Sequence, residues 1–311
     1  MDILALIAAF GGGVIGAYMG AVPAFVMTGV FALVGGVATA AGVDGGVAIN
    51  SIAFGSFLGP HIAFAGGVAA AGYAGKQKKL ASGADVVSSL NGLGEPDVLL
   101  VGGIFGVIGF VLAALIGAIP LGALGTLGTL TDLPGICVVI SGIIVRFVFG
   151  TTGLTGKYTG SGPRVWFSTG TGLLHPAPEC NLMLGGGLGC AVAFVGATLY
   201  TAGNEVALGI FPIICFGFSA TTLLFACGGL ACPATHHIAL PAGLVTVVGL
   251  HAFQSPAGAV LGVVFGILGA LGGDLAGNSI NSHVDTHIDP PATTIFILTI
   301  VINLIAFGLG V

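Results

Sequence analysis

Apolar residues run along this chain in unbroken stretches of about twenty, the length that carries a helix across a bilayer. The segment VLLVGGIFGVIGFVLAALIGAI, residues 98–119, shows the pattern. A barrel strand would alternate apolar and polar residues at every second position. No such alternation is present, and continuous apolar runs predict helices. Ten spans follow: 2–20, 21–42, 47–74, 98–118, 134–150, 183–201, 206–226, 228–250, 256–273 and 291–309. A more polar stretch, 151–182, parts the fifth from the sixth. The third and eighth spans contain proline and polar breaks and are long enough to hold a re-entrant half-helix before the crossing.

The two sides of that stretch echo each other. GGG at 11–13 returns at 185–187, HIAFAGG from His61 returns as HIALPAG from His237, IFGVIG at 104–109 as VFGILG at 264–269, and DLPG from Asp132 as DPPA from Asp289. The order is kept, with offsets of 174, 176, 160 and 157 residues. The single large step falls where the first half carries the loop KQKKLASGADVVSSLNGLGEPD and the second only HAFQSPAG. The expected architecture is therefore an all-α polytopic membrane protein of ten helices. A first repeat, 1–150, is joined by a cytoplasmic connecting loop, 151–182, to a second repeat, 183–311. Five crossings per repeat give the repeats opposite orientation, an inverted-topology pair with its site between the halves near the bilayer midplane.

Composition strengthens the membrane reading. Of 311 residues, 56% are hydrophobic and 5% charged, against roughly 25% charged in a soluble domain; mean hydropathy is +1.14. The 58 glycines suit close helix packing in lipid and breaks that turn backbone polar groups toward a cavity. The six cysteines fall mostly in apolar runs and read as small buried hydrophobes. MDILALIAAFGGGVIGAYMG lacks a basic start and reads as a first helix, not a signal peptide. Basic residues mark cytoplasmic loops. Lys76, Lys78 and Lys79 lie two crossings from Arg146, Lys157 and Arg164, so both clusters can share the cytoplasmic side, with both termini outside. Tyr158, Trp166 and Phe167 beside those later charges read as an interfacial anchor.

Two constellations could carry chemistry. His61 follows Pro60, and His236 and His237 follow Pro233 and Thr235. Ionisable groups inside a membrane mark pathways, and a proline at a helix start leaves N–H groups open to an anion or polar oxygen. The expected pathway comprises His61 and His237 as pseudo-symmetric partners, with His236, Pro60, Pro233, Asn50 and Thr235. Against this stands the plainer reading that each histidine packs against a neighbouring carbonyl. The second constellation is His283, Asp285, His287 and Asp289 in NSHVDTHIDPPA. Imidazoles with carboxylates suit a divalent ion such as Zn²⁺; alternatively Asp289 is simply the N-cap before Pro290. No other cofactor is indicated.

No nucleophile elbow, metalloprotease pair, Walker loop or basic nucleic-acid patch occurs, so an enzyme, an ATPase and a nucleic-acid binder are not expected. The 5+5 plan with paired histidines and Pro/Gly breaks resembles, at the level of fold, the ammonium and urea channels, whose signature segments are not seen here. That resemblance implies a homo-oligomer, a trimer, in the bilayer. The expected function is a channel or secondary transporter for a small neutral or weakly charged solute or a monovalent ion, in a prokaryotic cytoplasmic membrane. A divalent-metal transporter or metal-gated protein, and a non-transporting structural subunit, are the alternatives.

Overall fold

The computed structural model describes residues 2–119, 131–167 and 178–311. Among them helix is the one regular secondary structure and no strand forms. The helices are α1 (Ile3–Met19), α2 (Ala21–Ala40), α3 (Ala65–Lys76), α4 (Pro96–Gly117), α5 (Leu133–Phe149), α6 (Pro178–Thr201), α7 (Glu205–Thr221), α8 (Leu223–Cys227), α9 (His236–Phe253), α10 (Val260–Ile280) and α11 (Pro290–Leu309). Seven described helices are long and apolar enough to cross a membrane, and α1 and α5 are shorter apolar helices. This fits an integral membrane protein. Large side chains such as Ile3, Met183, Phe194 and Phe307 face outward, as lipid-facing positions require.

Local chemistry sets the helix starts. Asp2, Asp132, Asn204 and Asp289 each accept a hydrogen bond from a backbone N–H of the following helix, satisfying donors that the first turn leaves open. Proline stands in the first turn of α4, α5 and α11, where its missing N–H costs nothing. Gly20 turns the chain between α1 and α2 at φ 93°, a conformation that a side chain would strain.

The breaks expected in the third and eighth spans are present. The span 47–74 is not continuous: π-helical turns cover Val47–Ala53 and Pro60–Phe64, the latter running straight into α3, with a break at 54–59. The span 228–250 is helical only from His236, after a break at 228–235. Proline at 60 and 233, with glycine at 55, 59, 228 and 229, removes donors and helix propensity at those points. In addition, α10 runs on to Ile280, past the expected end at 273.

Helix neighbours recur in the two halves. α1 packs on α4 as α6 packs on α10; α3 packs on α4 as α9 packs on α10; across the halves, α2 meets α7 and α5 meets α11. Glycines make the tightest approaches. A Cβ on Gly13 would enter the Gly102 carbonyl, and one on Gly185 would lie 2.6 Å from the Gly266 oxygen. The cross-half pairs are antiparallel. Gly29 lies beside Ala220 and Gly36 beside Ile214. The Thr131 hydroxyl donates to the Phe296 carbonyl, Gly135 lies by Ala292 and Gly142 by Ile288.

The basic clusters meet at one end of the molecule. Lys76 Nζ donates to the Val148 carbonyl at 2.8 Å. Lys79 bridges Glu95 and Asp97, and Glu95, then Asp97, hold its ammonium above the ordinary range. Arg164 stacks on Trp166 and donates to the Asn278 and Ser279 carbonyls at the end of α10, where a cation complements the helix dipole. Arg146, 1% exposed, spends its guanidinium on Thr286 Oγ1 and the carbonyls of Thr286, Ile280, Gly153 and Leu154. Of the cysteines, all six are free; Cys137 and Cys215 are buried as expected, but Cys180 and Cys190 are exposed on α6. Next to lipid an exposed thiol costs little, so apolar sequence context does not imply burial in protein.

Candidate functional site

A cavity of about 450 Å³ opens where the two halves meet. Its walls come in pairs. Pro60 and His236, and Phe64 and Leu240, stand at the offset of 176; Asp132 and Asp289, and Val138 and Ile295, at 157; Phe25 and Phe216 face each other from α2 and α7. Four helical segments begin at this cavity: the π-helical turn at Pro60, α5, α9 and α11. Most of the remaining lining is aliphatic and aromatic, with Thr131, Asn281, His287 and Thr299 as polar members, and among the described residues no Lys or Arg reaches it.

One polar network is fully specified. Asn281 Oδ1 accepts the Ile288 N–H at 3.2 Å, which leaves its amide group to face His287 Nδ1 at 3.1 Å. An amide NH₂ only donates, so Nδ1 must accept and the imidazole proton sits on Nε2. That proton is given to Asp289 Oδ1 at 3.1 Å, while Asp289 Oδ2 caps α11 through the Ala292 N–H at 2.7 Å. Asp132 caps α5 in the same way through Gly135 N–H at 2.6 Å. We expect ¹⁵N NMR to find His287 as the Nε2–H tautomer; an Nδ1–H signal would overturn the network. Asp289→Ala removes both the cap and the histidine's acceptor, and should lower stability by about 1–2 kcal/mol; an unchanged unfolding midpoint would count against it.

The expected pathway residues divide. His236 and Pro60 line the cavity; His61, His237, Pro233, Asn50 and Thr235 do not. His61 and His237 are buried beside it, and their carbonyls pack onto Gly109 and Gly269 of α4 and α10. The repeated His-Ile-Ala element thus marks a matched helix crossing, and of the three expected pathway histidines only His236 lines the cavity. Asn50 is exposed, and the Thr235 carbonyl accepts from Ile238 and Ala239.

The four candidate metal ligands divide as well. His287 and Asp289 face the cavity. Asp285 turns away to Thr151 and Thr152; burial alone would raise its pKa, but those bonds win and hold it below the ordinary carboxylate range. His283 is exposed and lies against Tyr158 at 5.0 Å between ring centroids. Among the described residues no three His, Cys, Asp or Glu side chains gather as metal donors. The chain turns at His283, φ 59°, and the four side chains diverge.

Sequence reasoning missed Phe25, Phe216 and Asn281 as partners in this cavity. Asn281 stood in the polar cluster; the two phenylalanines carry no local signal, since phenylalanine is equally at home facing lipid.

A family model matches residues 1–162 and 185–311, and the chain belongs to that family, described as a family of unknown function, DUF7973. No curated protein and no solved structure matches the chain.

Proposed function

We propose that this member of the DUF7973 family is a membrane channel or secondary transporter for a small solute, built as two inverted five-helix repeats with the solute site in the central cavity. The observation that carries the reading is the paired lining: equivalent residues of the two halves face one space, at helix starts that lie inside the protein. The antiparallel course of α2 against α7 and of α5 against α11 supports inversion, because equivalent helices then run in opposite directions. Helices interrupted by proline and glycine, with their starts at a shared site, are the plan by which transporters expose backbone groups to a solute. Rocking one half against the other would open the cavity to each side in turn, and lipid-facing small-residue surfaces suit a homo-oligomer.

Val138→Trp and Ile295→Trp place an indole in the cavity from α5 and from α11. Flux into proteoliposomes, followed by light scattering and ion-sensitive dyes over a panel of small solutes, should fall to the level of empty liposomes in both. The unfolding midpoint should stay within a few degrees. Parental flux with the cavity filled would sink the proposal. His61→Ala/His237→Ala should act chiefly through stability, since neither ring lines the cavity.

A further inference from the structure

We infer that the central cavity binds an uncharged, largely apolar molecule with one hydrogen-bonding group, a hydroxyl, carbonyl or amide, and that His236 receives that group; the inference rests on the reading of this cavity as a solute site. Size comes first. About 450 Å³ lies in the range of pockets for small organic ligands and is some fifteen times the share of one water in the liquid, far more than ammonia, urea or a bare ion needs.

Charge comes second. Among the described residues no Lys or Arg lines the space. Asp132 and Asp289 face it, but each is held by the N-terminus of its own helix, and Asp289 also by His287. A helix N-terminus carries roughly half a positive charge, so each capped start offsets much of its own carboxylate, and neither offers an open anion site. The start of α9, by contrast, has no side-chain cap.

The third observation is His236 itself. Its side chain lines the cavity and is 5% exposed, and its Nδ1 is buried with no hydrogen-bond partner among the described residues. Buried polar groups are almost always paired, and leaving one unpaired costs about 1–3 kcal/mol. Rings hold the imidazole in place: Phe25 at 4.6 Å, Phe216 at 6.0 Å and His237 at 5.9 Å between centroids. Thr299, also in the cavity wall, leaves its hydroxyl unbonded among the described residues, although Thr294, five residues earlier, bonds back to the Pro290 carbonyl. A neutral imidazole and a hydroxyl can each donate or accept, which fits a neutral polar group better than a fixed charge.

The test uses the full chain in detergent and four probes sharing one ring system: 2-naphthol, uncharged at neutral pH, 2-naphthoate, 2-naphthylmethylammonium and naphthalene itself. Equilibrium dialysis is run on the parental protein and on Val138→Trp, and the difference is cavity binding. Naphthol should bind at least about tenfold more tightly than either ion, a gap of roughly 1.4 kcal/mol. His236→Phe keeps the ring contacts and should weaken naphthol about fivefold to tenfold while leaving naphthalene unchanged. In the parental protein, naphthol should also shift the His236 ¹⁵N resonances, a readout that needs no variant. Preference for either ion, no cavity binding, or an unmoved His236 signal would overturn the inference. Naphthol binding without flux of any solute would keep this assignment and overturn transport; flux of another solute without naphthol binding would do the reverse.

Discussion

Arg146→Ala is expected to destabilise the protein by about 3–5 kcal/mol, the largest single effect foreseen. The guanidinium is buried and gives its donors to five acceptors on three separate segments: Thr286 Oγ1 at 2.6 Å and the Thr286 carbonyl at 2.7 Å, the Ile280 carbonyl at 3.2 Å, and the Gly153 and Leu154 carbonyls at 3.1 and 3.0 Å. Removing it strips the buried Thr286 of both its hydroxyl and its carbonyl partner, and each buried orphan has its own desolvation cost. Arg146 also fastens the end of α5 to the segment 281–289, which carries Asn281, His287 and Asp289 to the cavity. Arg146→Lys should recover only part of the loss, because an ammonium has three donors and no planar fork. Thermal unfolding by circular dichroism in detergent measures the series; an alanine variant with the parental midpoint would show that the segment is held by something else.

Gly109 carries the second large effect. It sits where α4 crosses the start of the Pro60–Lys76 helical segment, and a Cβ there would enter the His61 carbonyl. Backbone cannot move aside as a flexible side chain can, so Gly109→Ala should cost about 1–3 kcal/mol, the usual range for overpacking, and Gly109→Val more. Gly269, its counterpart in α10, has more room: a Cβ would lie 2.6 Å from the His237 oxygen, and Gly269→Ala should cost less. Gly11 and Gly187 have nothing within 4 Å of a Cβ; alanine there should be neutral or stabilise by about 0.5–1 kcal/mol through helix propensity. Equal losses at Gly109 and Gly11 would refute this ranking.

These glycines also show how much of the fold was legible. The pair IFGVIG and VFGILG announced matched helices but not their purpose. Gly109 and Gly269 are needed at a crossing, whereas Gly11 and Gly187, equally prominent in matched GGG runs, face open space. Nothing in either run separates the two cases, because a helix in lipid may leave a glycine exposed at little cost. The histidines behaved alike. A matched pair beside prolines suggested two facing ligands, yet the offset of 176 pairs Pro60 with His236 at the cavity wall and moves His61 and His237 one residue along, onto the flanking helices.

What the sequence by itself determined was the all-helical membrane class and several helix starts. Apolar length forces helices in a medium that leaves no backbone group unpaired, and Asp-Leu-Pro-Gly and Asp-Pro-Pro-Ala signal capped N-termini through local chemistry alone. It also carried the internal echo, because motif order survives a loop insertion. Only the tertiary structure decided which residues share the cavity, that the His/Asp cluster is split at His283, and that Arg146 is a buried tie and not a loop charge. The physical reason is the solvent. In water, the polar side of a helix identifies its outward face; in this chain the lipid face and the packed face are both apolar, so side-chain character no longer reports direction. Which wall His236 and Phe25 belong to is then fixed only by how the helices cross.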